Sequence, residues 1–224
     1  MKSTKTSTYL FFFLSALAFI AFSVVWWGVA QNAAWIHALD RWGIQLIRSN
    51  ITESATYFFH TITFFGGTVF LTLASILLFF LFLRKKGWGI ALWFASTALI
   101  GELLIPQIVK HIVMRPRPEN PLISVSGYSF PSGHSAGSTT FYGILVIILC
   151  LTILQKSSRK WLLAIVAALW ILTIMISRVY LGVHYPSDVL GGCLVGIGSI
   201  SLTTAVYLLK QQKNRRSSEQ QLNV

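Results

Sequence analysis

The chain has 224 residues, of which 54% are hydrophobic and only 11% charged, and its mean hydropathy is +0.67. A soluble domain of this size would be about a quarter charged, so the composition excludes an ordinary soluble protein and indicates a single membrane domain over residues 1–224. The net charge of +12 does not indicate nucleic-acid binding, because most positive residues lie in short segments between apolar runs, where they set topology.

Six apolar runs are interpreted as membrane-spanning helices. They cover about residues 9–30, 62–83, 88–109, 135–154, 161–176 and 189–209. The first run could instead be a cleaved signal peptide, since Gly28 and Ala30 suit a cleavage site. Its length and the bulky Trp26 and Trp27 near its end favour a retained helix.

Between the first two runs, residues 31–60 are of mixed polarity. Trp35, Leu39, Trp42 and Leu46 follow a 4-3-4 spacing and would share one face of a helix, while Asp40 and other polar residues lie largely elsewhere. This pattern is typical of an interfacial helix that lies on the membrane. The predicted fold is therefore all-α, with six transmembrane helices and an interfacial amphipathic helix.

Some residues are unusual inside the apolar runs. Glu102 lies eight residues before Lys110, on roughly the same helical face, and we interpret it as a structural partner for a cation or polar group. Pro106 is expected to kink its helix. Gly192 and Gly196 form a small-xxx-small pair that indicates close helix packing.

The remaining features outside the motifs are structural. Cys150 and Cys193 fall inside apolar runs and are interpreted as packing residues, with no disulfide framework. The polar, basic tail over 210–224 is expected to fray.

Three short motifs carry the candidate chemistry. The last runs from Ser177 to Asp188 and places Arg178, His184 and Asp188 close together in the chain. Arginine presents fixed donors that suit phosphate, and neutral histidine can act as a nucleophile. A carboxylate on the second ring nitrogen would fix the tautomer and stabilise the developing charge, so this stretch has the groups for phosphoryl transfer through histidine.

The other two motifs are Lys110-His-Ile-Val-Met-Arg-Pro-Arg117-Pro118 and Pro131-Ser132-Gly133-His134. Together the three resemble the signature of the type-two phosphatidic-acid phosphatase superfamily, which also includes vanadium haloperoxidases. The family pattern is Lys, six residues, Arg-Pro; then Pro-Ser-Gly-His; then Ser-Arg, five residues, His, three residues, Asp. This sequence matches every fixed position in order, between residues 110 and 188.

The resemblance implies a role for each motif residue. His184 would be the nucleophile and Asp188 would hold its ring, while His134 would be the general acid. The groups expected to bind the substrate phosphate are Lys110, Arg117, Ser132, Gly133 and Arg178. Two histidines that need opposite protonation states predict a bell-shaped pH profile.

Several of these residues also have a plain structural interpretation. Lys110 and Arg178 could be interfacial cations that snorkel, Ser132 could be a helix N-cap, and Asp188 could cap the last helix. Arg115 has a weaker case, because it could reach a headgroup or simply lie at the surface.

The distribution of basic residues predicts the orientation. With the N-terminus inside, the inner segments hold Lys2, Lys5, Arg84, Lys85, Lys86, Lys156, Arg159, Lys160, Lys210, Lys213, Arg215 and Arg216. The outer segments hold Arg41, Arg48, Lys110, Arg115, Arg117 and Arg178. Both termini are thus expected in the cytoplasm, and all three motifs on the extracytoplasmic face of the cell membrane.

The sequence thus predicts a metal-independent lipid phosphatase that needs no cofactor, because the cations replace a magnesium clamp and no zinc-type His/Cys spacing is present. The resemblance implies phosphatidic acid, phosphatidylglycerophosphate or undecaprenyl diphosphate as substrate, with the latter two favoured. The expected partners are the lipid substrate and the bilayer, with no nucleic acid and no obligate protein partner. The alternatives are a phosphotransferase with a non-water acceptor, a lipid-headgroup binder or transporter, and, least favoured, a haloperoxidase.

Overall fold

The computed structural model describes residues 2–154 and 157–222, and in these ranges the regular structure is helical. The helices are α1 Lys2–Ala30, α2 Ala34–Ile47, α3 Glu53–Thr63, α4 Thr68–Lys86, α5 Trp88–Ala98, α6 Ile105–Val113, α7 Gly133–Thr152, α8 Arg159–Tyr180 and α9 Pro186–Leu222. A 3₁₀ turn over Phe64–Gly66 joins α3 to α4, and a π-helical turn over Leu99–Leu104 joins α5 to α6.

Six stretches of the described residues are long and apolar enough to cross a membrane, which confirms the predicted number. They are Thr6–Ala30, Thr68–Lys86, Trp88–Val113, Gly133–Thr152, Arg159–Tyr180 and Pro186–Gln221. The second begins later than predicted, because α3 ends at Thr63 and the 3₁₀ turn intervenes.

The region between the first two spans contains two helices, where one was predicted. On α2, Trp35, Trp42 and Leu46 are exposed, whereas Ile36 and Asp40 are buried against the rest of the protein. The predicted apolar face therefore points outward, as expected for a helix that meets lipid. The opposite face of α2 packs on α8 and α9.

The expectation that the tail frays needs correction. The tail does not fray at Lys210, because α9 continues to Leu222. No glycine or proline follows Gly198, and the Lys, Gln, Arg and Glu residues beyond it favour helix. Near Pro106, the helix is irregular in the turn that precedes the proline, where a proline removes a backbone hydrogen bond, and the chain forms the π-helical turn there.

Glu102 lies inside the π-helical turn. Among the described residues no ion pair joins Glu102 to Lys110, whose ammonium bonds the carbonyl of Tyr128 at 2.7 Å. The Glu102 side chain lies beside Ser75 of α4, and its Oε1 has no hydrogen-bond partner among the described residues. The sequence predicted either a cation or a polar group as the partner of Glu102, and the structure places a polar group, Ser75, next to it.

Glycines allow α7 and α9 to pack closely, as the small-xxx-small pattern predicted. A Cβ on Gly192 would collide with the backbone of Ser132 at the start of α7, and a Cβ on Gly196 would lie 2.6 Å from that of Thr139. The close approach aligns the two N-termini, and the amide of Ser132 donates to the carbonyl of Asp188 at 2.9 Å. The second and third motifs are therefore brought together by helix packing.

Helix α1 packs along α9, and its Ser15 hydroxyl donates to the carbonyl of Gly198 at 3.0 Å. On the same helix, Phe22 stacks on the fully buried Phe130 of the loop before α7, with ring centroids 5.9 Å apart.

Cys150 and Cys193 are free thiols. The basic residue Lys156, used above to predict orientation, lies outside the described residues.

Candidate active site

The three motifs meet at one end of the helix bundle. Lys110 lies in the last turn of α6, His134 in the first turn of α7, Arg178 in the last turn of α8 and Asp188 in the first turn of α9. Helix ends therefore present these side chains, and the turn between α8 and α9 carries His184 into the same cluster.

His184 and Asp188 form a buried pair. His184 is 3% exposed and Asp188 is fully buried, and the ring Nδ1 lies 3.5 Å from Oδ2 of the carboxylate. The Ser129 hydroxyl contacts both, as it donates to Asp188 Oδ2 and lies 3.4 Å from His184 Nδ1. The carboxylate thus lies on the Nδ1 side of the ring and leaves Nε2 facing the opposite way.

Asp188 also caps α9. Its Oδ2 accepts the amide hydrogen of Tyr185 at 2.8 Å, and the Asp188 amide donates back to the Tyr185 carbonyl at 3.0 Å. The bond from the Tyr185 amide to the Asp188 side chain is the N3 half of a capping box, and Pro186 occupies the first helical position. Asp188 therefore caps α9, as its structural interpretation predicted, and also lies against the His184 ring.

Arg117 determines which tautomer His184 adopts. Its Nη1 lies 3.2 Å from His184 Nε2, and a guanidinium can only donate, so Nε2 must be the unprotonated acceptor. The proton then lies on Nδ1, towards Asp188. The rest of the Arg117 guanidinium is held by the backbone carbonyls of Ser126, Gly127 and Val183 at 2.8–3.0 Å.

Burial and charge favour neutral His184. Burial lowers the pKa of His184 to about 4; Asp188 opposes this shift, while Arg178 and Lys110 add to it. Burial also lowers the pKa of Arg117, an effect that Asp188 partly offsets. His184 is therefore a neutral imidazole at neutral pH, with its proton on Nδ1 and the lone pair of Nε2 directed towards the Arg117 guanidinium.

Arg178 is a buried cation with donors to spare. It is 2% exposed, and its Nη1 donates to the hydroxyl of Thr63 at 2.6 Å, whereas its Nε has no partner among the described residues. The Arg178 carbonyl accepts from the amides of Val183 and His184 at 3.2 and 3.3 Å. This fixes the turn that carries His184 on the end of α8.

The N-terminus of α7 provides a backbone site for an anion. Ser132 is the N-cap, and its hydroxyl accepts from the Ser135 amide at 3.3 Å. The amides of Gly133 and His134, in the first turn, have no intrahelical partners. A Cβ on Gly133 would meet nothing within 4 Å, so there is open space at this end of the helix. The capping interpretation of Ser132 is therefore confirmed, and room for an anion remains beside it.

His134 lies in the first turn of α7, next to this space. A Cβ on Gly66 would lie 3.4 Å from its Cδ2, so the ring packs beside the 3₁₀ turn. The ring makes no hydrogen bond within the described part of the chain, and it is close enough to Arg178 and His184 for their charges to act on it. Its nitrogens are available to a molecule bound in the cluster.

The family profile that matches this sequence is that of the PAP2 superfamily, over residues 90–212, which is more than half of the chain. The chain belongs to the PAP2 superfamily. The matched region contains all three motifs.

PAP2 relatives of this chain carry different names. Phosphatidylglycerophosphatase B of Bacillus subtilis is 37% identical over 97 residues, which cover 43% of this chain and 48% of that protein. Undecaprenyl-diphosphatase of Sulfolobus acidocaldarius is 31% identical over 136 residues, which cover 57% of this chain and 58% of that protein. The chain thus aligns with about half to three-fifths of the length of these relatives.

The fold resembles a solved PAP2 structure, the crystal structure of a transmembrane PAP2-type phosphatidylglycerolphosphate phosphatase from Bacillus subtilis. The TM-score is 0.74 with 24% sequence identity, over 86% of this chain and 94% of that one. The likeness confirms the all-α membrane fold. This chain is therefore a multi-pass membrane protein of the PAP2 superfamily.

Within this PAP2 site, the structure brings together every residue that the motifs predicted. Three further residues were missed: Asp40, Thr63 and Ser129, which bond Arg115, Arg178 and Asp188 respectively. Ser129 is two residues before the Pro-Ser-Gly-His motif, so its proximity to the site was the available signal. Asp40 and Thr63 lie far away in the chain, and no local pattern identifies them.

Arg115 is part of the cluster rather than a surface residue. Its Nη1 bonds Asp188 Oδ1 at 2.6 Å, and its guanidinium lies 4.1 Å from the centre of the Tyr185 ring. Burial lowers the Arg115 pKa, but the carboxylates of Asp188 and Asp40 outweigh this and raise it overall.

Among the described residues, no group of three or more His, Cys, Asp or Glu side chains is placed to hold a metal ion.

Proposed function

We propose that this protein is a metal-independent lipid phosphatase that forms a phosphohistidine on His184. The observation that carries the proposal is the environment of His184 Nε2, an unprotonated nitrogen that faces Arg117 and lies among further cations. Because a guanidinium binds phosphate, the lone pair of His184 Nε2 points towards the place where a phosphate would bind. The names of the two curated PAP2 relatives support a lipid phosphate or diphosphate as substrate.

The substrate phosphate would lie between His184 and the cations. Arg117 would exchange its contact with Nε2 for a phosphate oxygen, while the unpartnered Nε of Arg178 and the ammonium of Lys110 neutralise further charge. The free amides at the start of α7, at Gly133, would bind another oxygen. These fixed donors would perform the electrostatic work that a metal ion performs in other phosphatases.

In the first step, Nε2 of His184 attacks phosphorus as the bond to the leaving oxygen breaks. His134 donates a proton to that oxygen, and Asp188 stabilises the positive charge that develops on the His184 ring. The anionic substrate supplies the negative charge that lets His134 carry its proton among the cations.

In the second step, the now neutral His134 takes a proton from water as the water oxygen attacks phosphorus. The phosphorus–nitrogen bond breaks, which restores neutral His184 and releases inorganic phosphate. Each half-reaction uses the two histidines in opposite protonation states, so the bell-shaped pH profile expected from the sequence follows from the same roles.

The site is proposed to face the extracytoplasmic side, with both termini in the cytoplasm. The basis is the predominance of basic residues in the segments on the other side. This orientation fits the recycling of a carrier-lipid diphosphate such as undecaprenyl diphosphate, and the names of the two relatives support undecaprenyl diphosphate and phosphatidylglycerophosphate as candidate substrates. Cysteine labelling with a membrane-impermeant reagent at exposed Ile51 and exposed Lys85 would test it, and labelling of the Lys85→Cys variant alone in intact cells would contradict it.

The test of the activity is phosphate release by purified protein in detergent with EDTA. Undecaprenyl diphosphate, phosphatidylglycerophosphate and phosphatidic acid would be offered in parallel to wild type, His184→Ala and His60→Ala. His60 is an exposed histidine on α3 and serves as the matched control.

We expect release by wild type and His60→Ala but not by His184→Ala. Equal release by all three would remove His184 as the nucleophile, and activity that vanished with EDTA and returned only with metal would contradict metal independence. Release of phosphate to an added alcohol in preference to water would indicate the phosphotransferase alternative. Lipid binding with no turnover would indicate a headgroup binder.

A further inference from the structure

Asp40 is a buried carboxylate on α2 that belongs to none of the three motifs. It is 4% exposed and lies on the face of α2 opposite the exposed Trp35 and Trp42. The neighbouring Gly43 packs so closely on Pro186 that a Cβ there would lie 2.6 Å from the proline ring. Helix α2 is therefore seated directly on the first turn of α9, where Asp188 lies.

Asp40 is joined to Asp188 through one shared partner, Arg115, and Ser187 bonds both Asp40 and Arg115. Its Oδ2 accepts from Arg115 Nη2 at 2.7 Å and from the Ser187 hydroxyl at 3.0 Å, and its Oδ1 accepts the Ser187 amide at 2.9 Å. The other guanidinium nitrogen of Arg115, Nη1, donates to Ser187 at 2.7 Å and to Asp188 at 2.6 Å. Arg115 is thus clamped between two carboxylates, one nitrogen on each.

The clamp affects both the position and the charge of Asp188. Arg115 bonds Oδ1, so it fixes the rotation of the carboxylate and keeps Oδ2 directed at His184 Nδ1. An arginine held by Asp188 alone would also neutralise that carboxylate. With Asp40 as a second anion, the two carboxylates and one guanidinium carry a net charge of −1, which remains available to a positively charged His184 ring.

We propose that Asp40 is a positioning residue, which acts through Arg115 to hold Asp188 aligned and negatively charged against His184. This inference rests on the proposed function, since its effect is expressed in the reaction of His184. Asp40 itself does not touch the ring and is not placed to contact the substrate phosphate. It should therefore change turnover far more than substrate binding.

The experiment compares Asp40→Asn, Arg115→Gln and the double variant with wild type, using phosphate release from the best lipid substrate. The matched control is Arg41→Gln, which changes the exposed neighbour of Asp40 on the same helix. Asp40→Asn is expected to lower kcat by about ten- to hundredfold, the rate equivalent of one lost charged hydrogen bond, with KM little changed. The double variant should be no slower than Arg115→Gln alone, because both changes break the same connection.

Wild-type kcat in Asp40→Asn would overturn the inference, as would effects of Asp40→Asn and Arg115→Gln that multiply in the double variant. If Asp40→Asn does not fold, Arg115→Lys replaces it, because one ammonium cannot bond both carboxylates as the guanidinium does. Wild-type kcat in Arg115→Lys would equally contradict the clamp. An inactive wild type would instead remove the proposed phosphatase function.

Discussion

Thr63 offers a sharp test of whether Arg178 must be held in place. The Thr63 hydroxyl accepts the one hydrogen bond that the Arg178 side chain makes within the described residues, at 2.6 Å. Thr63→Val removes that oxygen with almost no change in side-chain volume. A lost hydrogen bond to a charged group costs about 1.5–3 kcal/mol, and if this falls on the transition state it lowers kcat/KM by about 10- to 150-fold.

The assay is phosphate release under kcat/KM conditions, with Thr63→Ser as the matched control that keeps the hydroxyl. Thermal unfolding in detergent would show that each variant is folded. We expect Thr63→Ser to stay close to wild type and Thr63→Val to fall by the amount above. A folded Thr63→Val with wild-type kcat/KM, or a Thr63→Ser as slow as Thr63→Val, would refute the reasoning.

Three further predictions test other parts of the site. Ser132→Ala and Ser132→Gly should lose activity equally if the hydroxyl binds phosphate. If Ser132 only caps α7, Ser132→Gly should keep more activity than Ser132→Ala, because glycine at an N-cap costs only a few tenths of a kcal/mol of stability and alanine costs about 1 kcal/mol. The acid limb of kcat/KM should fall near pH 4, because His184 must be neutral to attack. Lys110→Gln should move this limb to higher pH, because it removes a positive charge that lowers the His184 pKa. A wild-type limb at pH 6.5, or a limb that Lys110→Gln does not move, would contradict this. Gly196→Ala should lower the melting temperature through a collision with α7, at a cost of about 1–3 kcal/mol, whereas Gly89→Ala in open space should not; equal melting temperatures would show that α7 and α9 can separate freely.

Local patterns predicted the parts of this molecule that depend on short stretches of chain. Apolar runs gave the number of spans, and the spacing of Trp35, Leu39, Trp42 and Leu46 gave the outward face of α2. The motif residues were found because the three motifs resemble the family signature, and the structure brings them together because they lie at helix ends on one side of the bundle.

The support of the site could not be read from the sequence in the same way. Asp40 and Ser187 are 147 residues apart, and Thr63 and Arg178 are 115 apart. Each pair meets only because α2 and α3 pack on the ends of α8 and α9, a tertiary arrangement that leaves no periodic signal in the chain. Asp40 was recognised as polar and off the apolar face, but its partners depend on which helix that face meets.

The most direct test of the central claim, a covalent intermediate on His184, is the stereochemistry at phosphorus. A lipid thiophosphate made chiral with oxygen isotopes would be hydrolysed by the purified protein in isotopically labelled water. Two in-line displacements, first by His184 and then by water, invert phosphorus twice and predict net retention of configuration. Net inversion would mean that water attacks the lipid phosphate directly, and it would contradict a phosphohistidine.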